Sequence, residues 1–103
     1  MKTFSERLQR AQEASGMTGS DLARWFDRPR ATVSTWLNGR TPFGPAAPIA
    51  LKGLALLEAS LKTRSEYYPL PAHMSWAERQ KYVRGMRDDA ERHHRVSEVR
   101  ATG

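Results

Sequence analysis

The sequence predicts an all-α fold, a compact bundle of four short helices followed by a C-terminal amphipathic helix behind a proline-rich hinge. Three observations favour it. Capping pairs recur at the expected helix starts, apolar residues follow them at helical spacing, and glycine or proline interrupts the pattern in between. The expected boundaries are a helical domain over residues 1–63, an extended linker over 64–74 and a C-terminal helix over 75–103.

The first helix is expected over residues 4–15. Thr3 and Glu6 match a capping box at its start, in which each residue satisfies an amide of the other. Gly16 follows at the position where a left-handed residue commonly ends a helix.

Two shorter helices are expected next. Thr18 and Asp21 form a second capping pair, and Pro29 interrupts the helix that follows because a proline disfavours helix at the residue before it. A further helix then spans about residues 29–38 and stops at Gly39. Two short helices joined by a turn of about three residues are typical of a helix-turn-helix.

Residues 19–38 resemble the helix-turn-helix of the phage lambda repressor/Cro family, also called the Xre family. Ala23 stands where the two helices must touch closely, and Val33 and Trp36 occupy the buried positions of the second helix. The resemblance covers residues 1–62. It implies a DNA-binding transcriptional regulator of phage or mobile-element type, most often a repressor, that reads double-stranded DNA.

The turn departs from the family pattern at three successive positions. Asp27 replaces the usual glycine, Arg28 replaces an apolar residue, and Pro29 replaces the serine or threonine that caps the second helix. Aspartate is among the few residues that tolerate a left-handed backbone, so we expect the turn geometry to survive at Asp27.

The rest of the chain predicts two more helices. A fourth helix from about residue 48 to 63 is apolar on two sides, with Leu51 and Leu54 on one and Ile49 and Leu56 on the other. A helix of this kind needs two packing partners. The second partner is either the C-terminal part of this chain or another subunit. The last helix begins with a capping box at residues 75–78, carries an apolar stripe and is expected to fade near residue 96.

Charge and composition favour a polyanionic partner. The 103 residues carry a net charge of +6, and the sequence pI is about 10.3, which for a small domain points to nucleic acid. The chain has no cysteine, which excludes disulfides and thiolate metal sites. Residues 1–6 have no apolar run of the kind that a signal peptide needs, and no stretch of about 18 apolar residues occurs in the sequence. We therefore expect a cytoplasmic, nucleoid-associated protein without a leader peptide or a membrane span.

The resemblance implies that the second helix of the motif lies in the major groove with its N-terminal residues at the base edges. With Val33 and Trp36 turned inward, the outward residues expected to read bases are Arg30, Ala31, Ser34 and Thr35. Arg30 has the fork that matches guanine, although a phosphate contact or a solvated side chain remains open for it. Phosphate contacts are expected from the ends of the helices and the flanking loop, at Gly19, Ser20, Arg28, Asn38, Arg40 and Thr41.

A homodimer is expected because one such module reads few base pairs, whereas two on a twofold axis read a pseudo-palindromic operator. The expected dimer surface comprises Ile49, Leu56, Trp76 and Val83. The alternative is that these residues pack against each other within one chain.

Three other functions are weighed against DNA binding. His73, His93 and His94 do not match a metal site, because adjacent histidines point about 100° apart on a helix. No cofactor is expected, and the scattered acidic residues do not indicate an enzyme. The remaining alternative is a protein of the same fold that binds another regulatory protein, with its C-terminal helix docked in a groove of that partner.

Overall fold

The computed structural model describes residues 3–71 and 73–102, apart from the side chains of Tyr67 and of residues 94–102. Within these residues the chain is all-α, as the sequence predicts. Five helices follow one another, and a single 3-10 turn separates the last two. They are α1 (Phe4–Ser15), α2 (Gly19–Phe26), α3 (Arg30–Leu37), α4 (Ala46–Thr63), the 3-10 turn (Ser65–Tyr67) and α5 (Trp76–Thr102).

The predicted boundaries of α1 are confirmed, and two others are corrected. α4 begins at Ala46 rather than Pro48, because proline is tolerated in the first turn of a helix, where its missing N–H is not needed. α5 runs to Thr102 instead of fading near Val96. No glycine or proline follows Gly85 within the helix, so nothing in the sequence ends it earlier.

All five helices contribute to one hydrophobic core. Leu8, Leu22, Trp25, Leu54 and Leu57 lie at its centre, each at most 1% exposed. α5 packs against both α2 and α4, and it adds to the same core with Val83, Met86 and Ala90.

The segment before α5 belongs to this core as well. Leu70 is buried, and its amide donates to the carbonyl of Ser15 over 2.8 Å. The hydroxyls of Tyr68 and Ser60 lie 2.6 Å apart, within hydrogen-bonding distance. Tyr68 and Leu70 therefore pack part of the predicted linker against the bundle.

The expected dimer surface is corrected at two of its four residues. Leu56 and Val83 are 2% and 1% exposed within a single chain, so the alternative of packing within the chain applies to them. Ile49 and Trp76 remain exposed, at 44% and 70%. Leu51 also differs from expectation, because it faces outward on α4 while Ala50 points into the core.

α4 approaches α2 closely at Gly53. A β-carbon built there would lie 2.6 Å from the ring of Phe26, and the indole N–H of Trp25 donates to the Gly53 carbonyl over 2.9 Å. The absence of a side chain at Gly53 lets the two helices meet at this distance. Among the described residues, no helix combines the length and apolar content needed to cross a membrane.

Candidate nucleic-acid interface

α3 is held to the bundle through one side. Val33 is fully buried, and Trp36 is 3% exposed. The Trp36 ring meets Phe4 of α1 and Phe26 of α2 edge to face, with ring centroids 5.7 and 5.5 Å away. Pairs of this geometry are favourable beyond their buried area. The predicted burial of Val33 and Trp36 is confirmed, and it fixes which side of α3 faces outward.

The end of α3 is held by α1 through polar contacts that the sequence did not indicate. The carbonyl of Leu37 accepts hydrogen bonds from Ser5 Oγ, over 3.1 Å, and from Gln9 Nε2, over 2.7 Å. Gln9 Nε2 also donates to Ser5 Oγ over 3.2 Å. The last carbonyls of a helix lack partners within it, and α1 supplies two donors here. A spacing of four residues places Ser5 and Gln9 on one face of α1, but the sequence does not show what that face meets.

The other side of α3 carries the residues expected to read bases. Arg30, Ala31, Ser34 and Thr35 are all exposed. The hydroxyl of Thr35 donates to the Thr32 carbonyl over 2.6 Å, which leaves its oxygen as an acceptor. The Arg30 side chain lies over the start of α2, where its Nε is 3.6 Å from the position that a β-carbon on Gly19 would take.

The turn between α2 and α3 contains the left-handed residue that the sequence predicted. Asp27 has φ 54° and ψ 50°, and it ends α2. Its amide donates to Arg24 O over 3.3 Å, and the next amide, of Arg28, donates to Ala23 O over 3.0 Å. Pro29 then stands immediately before α3 and makes no side-chain cap.

The first turn of α2 leaves two amides available. Thr18 Oγ1 accepts from the Asp21 amide and the Thr18 carbonyl accepts from the Leu22 amide. Gly19 and Ser20 are therefore the donors at this helix end without an acceptor among the described residues. The residues that were expected to bind phosphate beyond α3, Asn38, Arg40 and Thr41, are exposed. Arg28 and Arg40 line one groove together with Ala31 and Thr35.

A buried ion pair joins the start of α2 to α5. Arg79 Nη2 lies 2.5 Å from Asp21 Oδ2, with the two side chains 14% and 6% exposed. Burial acts to raise the pKa of Asp21, but hydrogen bonds from Arg79 and Thr18 outweigh it and hold that pKa below its ordinary value. The hydrogen bond to Asp21 in turn raises the pKa of Arg79. Arg79 also donates to the carbonyls of Pro71 and Gly16.

This ion pair brings the start of α5 beside the start of α3, which the sequence did not predict. Between them and α2 lies an open cleft of about 420 Å³, here called the α2–α5 cleft, whose walls include Arg24, Arg28, Arg30, Trp76 and Gln80. The spacing of residues 20 and 24 indicates a shared side of α2, and Arg28 follows in the turn after it. Gln80 could not be assigned from the sequence, because the position of α5 depends on tertiary packing.

The histidines do not form a site in the part of the chain that the structure describes. His73 and His93 are exposed, and His94 lies outside the described side chains. No group of three histidine, aspartate or glutamate residues with the spacing of a metal site occurs among the described residues.

Comparison with models of protein families, with curated proteins and with solved structures found no match to this chain. Its function is therefore inferred from its own residues.

Proposed function

We propose that this protein binds double-stranded DNA sequence-specifically as a transcriptional regulator, with α2 and α3 acting as a helix-turn-helix and α3 entering the major groove. The observation that carries the proposal is the two-sided character of α3. Its inner side is fixed by Val33 and Trp36, and its outer side presents an arginine, two hydroxyls and a small apolar residue. These are side chains that read base edges.

Charge supports the same proposal. Arg24, Arg28 and Arg30 surround the turn, and Arg40 follows α3. Of the two acidic residues between Met17 and Arg40, Asp21 is already paired with Arg79, so it offsets little of the positive charge of the surface. The free amides at Gly19 and Ser20 suit a backbone phosphate, since the start of a helix carries partial positive charge.

The proposal includes a homodimer that acts as a repressor at a pseudo-palindromic operator. Ile49 is the residue of the expected dimer surface that stays exposed on α4. Phe43, 75% exposed, lies with it at the α4 end of the groove that Arg28 and Arg40 also line. Exposed apolar side chains that lie together favour a protein contact. Sedimentation of the wild type and of Ile49→Asp tests this part of the proposal, and we expect the substitution to shift the protein toward monomer.

DNA binding is tested by footprinting the purified full chain on DNA upstream of its own gene. We expect a protected site and an affinity that falls steeply as the salt concentration rises. The variant Arg30→Ala is expected to bind this site more weakly. Arg10→Ala is its matched control, because Arg10 is also exposed but lines a groove between α1 and α4. A chain that binds neither this DNA nor random duplex at low salt would contradict the proposal.

Binding to another regulatory protein remains the second candidate function, and the exposed pair Phe43 and Ile49 favours it. The two candidate functions predict different effects of substitutions on α3. If Arg30→Ala and Ser34→Ala leave regulation in cells unchanged while Phe43→Ser abolishes it, the protein partner is the correct assignment.

A further inference from the structure

We infer that the α2–α5 cleft holds a backbone phosphate of bound DNA, so that α5 is part of the DNA-binding surface through Trp76 and Gln80. The inference rests on the proposed function and goes beyond it, because it assigns a role to a helix outside the expected motif. The ligand chemistry is a phosphodiester group.

The charge of the cleft is the first argument. Among the described residues that line it, three are arginines and two are acidic. Asp21 is neutralised by its ion pair with Arg79, which leaves Asp27 as the acid that opposes Arg24, Arg28 and Arg30. A concave surface with this balance attracts an anion.

Two buried donors in the cleft walls are the second argument. Arg24 Nε and Gln80 Nε2 are shielded from solvent, yet neither has a hydrogen-bond acceptor among the described residues. Buried donors almost always have an acceptor in folded proteins. Because both side chains line the cleft, a phosphate oxygen there supplies an acceptor once the side chain rotates toward it, and a phosphate has enough oxygens to serve both.

Trp76 is the third argument. It is 70% exposed, whereas Trp25 and Trp36 are 1% and 3% exposed. An indole at the edge of a cationic cleft can pack its ring on a deoxyribose and donate its N–H to a phosphate oxygen.

The position of the cleft relative to α3 is the fourth argument. Arg28 and Arg30 line the cleft and also flank the start of α3. The ion pair between Asp21 and Arg79 fixes α5 against α2 at this point. DNA placed along the outer side of α3 by its N-terminal residues therefore passes the mouth of the cleft.

Acrylamide quenching of tryptophan fluorescence tests the inference on the full chain. Because Trp25 and Trp36 are buried, the quenchable signal comes from Trp76, and Trp76→Phe is expected to remove most of it. Saturation with a duplex is expected to lower the quenching slope of the wild type at least twofold and to leave that of Trp76→Phe unchanged. A quenching slope that is unchanged in the saturated complex overturns the inference. A quenching slope that falls as the protein concentration rises in the absence of DNA also overturns it, because Trp76 would then lie in a contact between copies of the chain.

Affinity measurements provide the second readout. Gln80→Ala and Arg24→Gln are expected to weaken binding about fivefold to tenfold, equally on the footprinted site and on random duplex, because a phosphate contact carries no sequence information. Arg24→Gln is also expected to reduce the slope of log K against log salt by about one. Arg10→Gln is the matched control. If Gln80→Ala and Arg24→Gln bind as tightly as the wild type, the inference is wrong although DNA binding stands.

Failure of the proposed function gives a different result. In that case the wild type does not change the anisotropy of a labelled duplex at any salt concentration. A titration with inorganic phosphate then shows whether the cleft takes a free phosphate group. Protection of Trp76 by inorganic phosphate without duplex binding overturns the assignment to DNA.

Discussion

The guanidinium of Arg79 on α5 forms an ion pair with the carboxylate of Asp21 in the first turn of α2, with Nη2 2.5 Å from Oδ2. The same carboxylate accepts from the Thr18 amide over 2.8 Å. One side chain therefore caps α2 and anchors α5. Because α2 carries the free amides and Arg24 of the candidate interface, this pair connects the position of α5 to the proposed DNA-binding surface.

Replacing Asp21 with Asn is expected to lower the free energy of unfolding by about 2 kcal/mol at neutral pH, because Arg79 stays buried without its partner. The folded pKa of Asp21 lies below its ordinary value. Its contribution is therefore fully present above the ordinary aspartate pKa of about 4 and is lost as the pH falls through the lower folded value. The difference between wild type and variant is expected to shrink below about pH 4.

Urea unfolding at a series of pH values measures this difference. Asp88→Asn is the matched control, since Asp88 is exposed on α5 and its replacement is expected to change stability by less than about 0.5 kcal/mol. A difference for Asp21→Asn that does not depend on pH would show that the ion pair does not form in solution.

Gly53→Ala is expected to lower the free energy of unfolding by about 1–2 kcal/mol. The added methyl group would lie 2.6 Å from the Phe26 ring, and overpacking of this kind costs more than the helix propensity that alanine gains. Gly85→Ala on α5 is the matched control, because nothing lies within 4 Å of the position that its β-carbon would take. It is expected to raise stability by up to about 1 kcal/mol. Thermal unfolding followed by circular dichroism compares the two, and equal effects would contradict the close approach of α4 to α2.

Substitutions at Asp27 test the turn. Its φ of 54° is favourable for glycine, tolerated by asparagine and aspartate, and costly for alanine. We expect stability to decrease in the order Gly, then Asn and Asp, then Ala, with about 1 kcal/mol between Gly and Ala. Chemical denaturation of the four proteins measures this order. Should Ala prove as stable as Gly, the left-handed turn would not exist in solution.

Arg30→Ala is expected to weaken binding to the footprinted site by about 1–3 kcal/mol and to relax the preference at one base pair. Arg30→Lys separates charge from geometry, because lysine keeps the positive charge but lacks the fork that bonds guanine. It is expected to retain affinity for random duplex and to lose the base preference. Titrations on the site and on its single-base variants measure both. A uniform loss on every sequence would instead assign Arg30 to a phosphate.

Local patterns predicted much of the fold and part of the candidate site. Capping pairs placed the starts of α1 and α2, and the burial of Val33 and Trp36 indicated the outer side of α3, because these features depend on neighbours three or four residues away. The pairing of Asp21 with Arg79 joins residues 58 positions apart, and no local spacing contains that information. The dimer surface was wrong at Leu56 and Val83 for the same reason. An apolar face in the sequence does not reveal whether its own chain or another covers it.

The two hydrogen bonds that Ser5 and Gln9 donate to the Leu37 carbonyl have a genetic consequence. They hold the C-terminal end of α3 through side chains of α1 that lie away from its outer side. Under the proposed function, a selection for altered operator preference is thus expected to return changes at Ser5 or Gln9 as well as at Arg30. In such a protein, the preference for a binding site can evolve through a change in the orientation of the helix that carries the contact residues, while those residues stay the same.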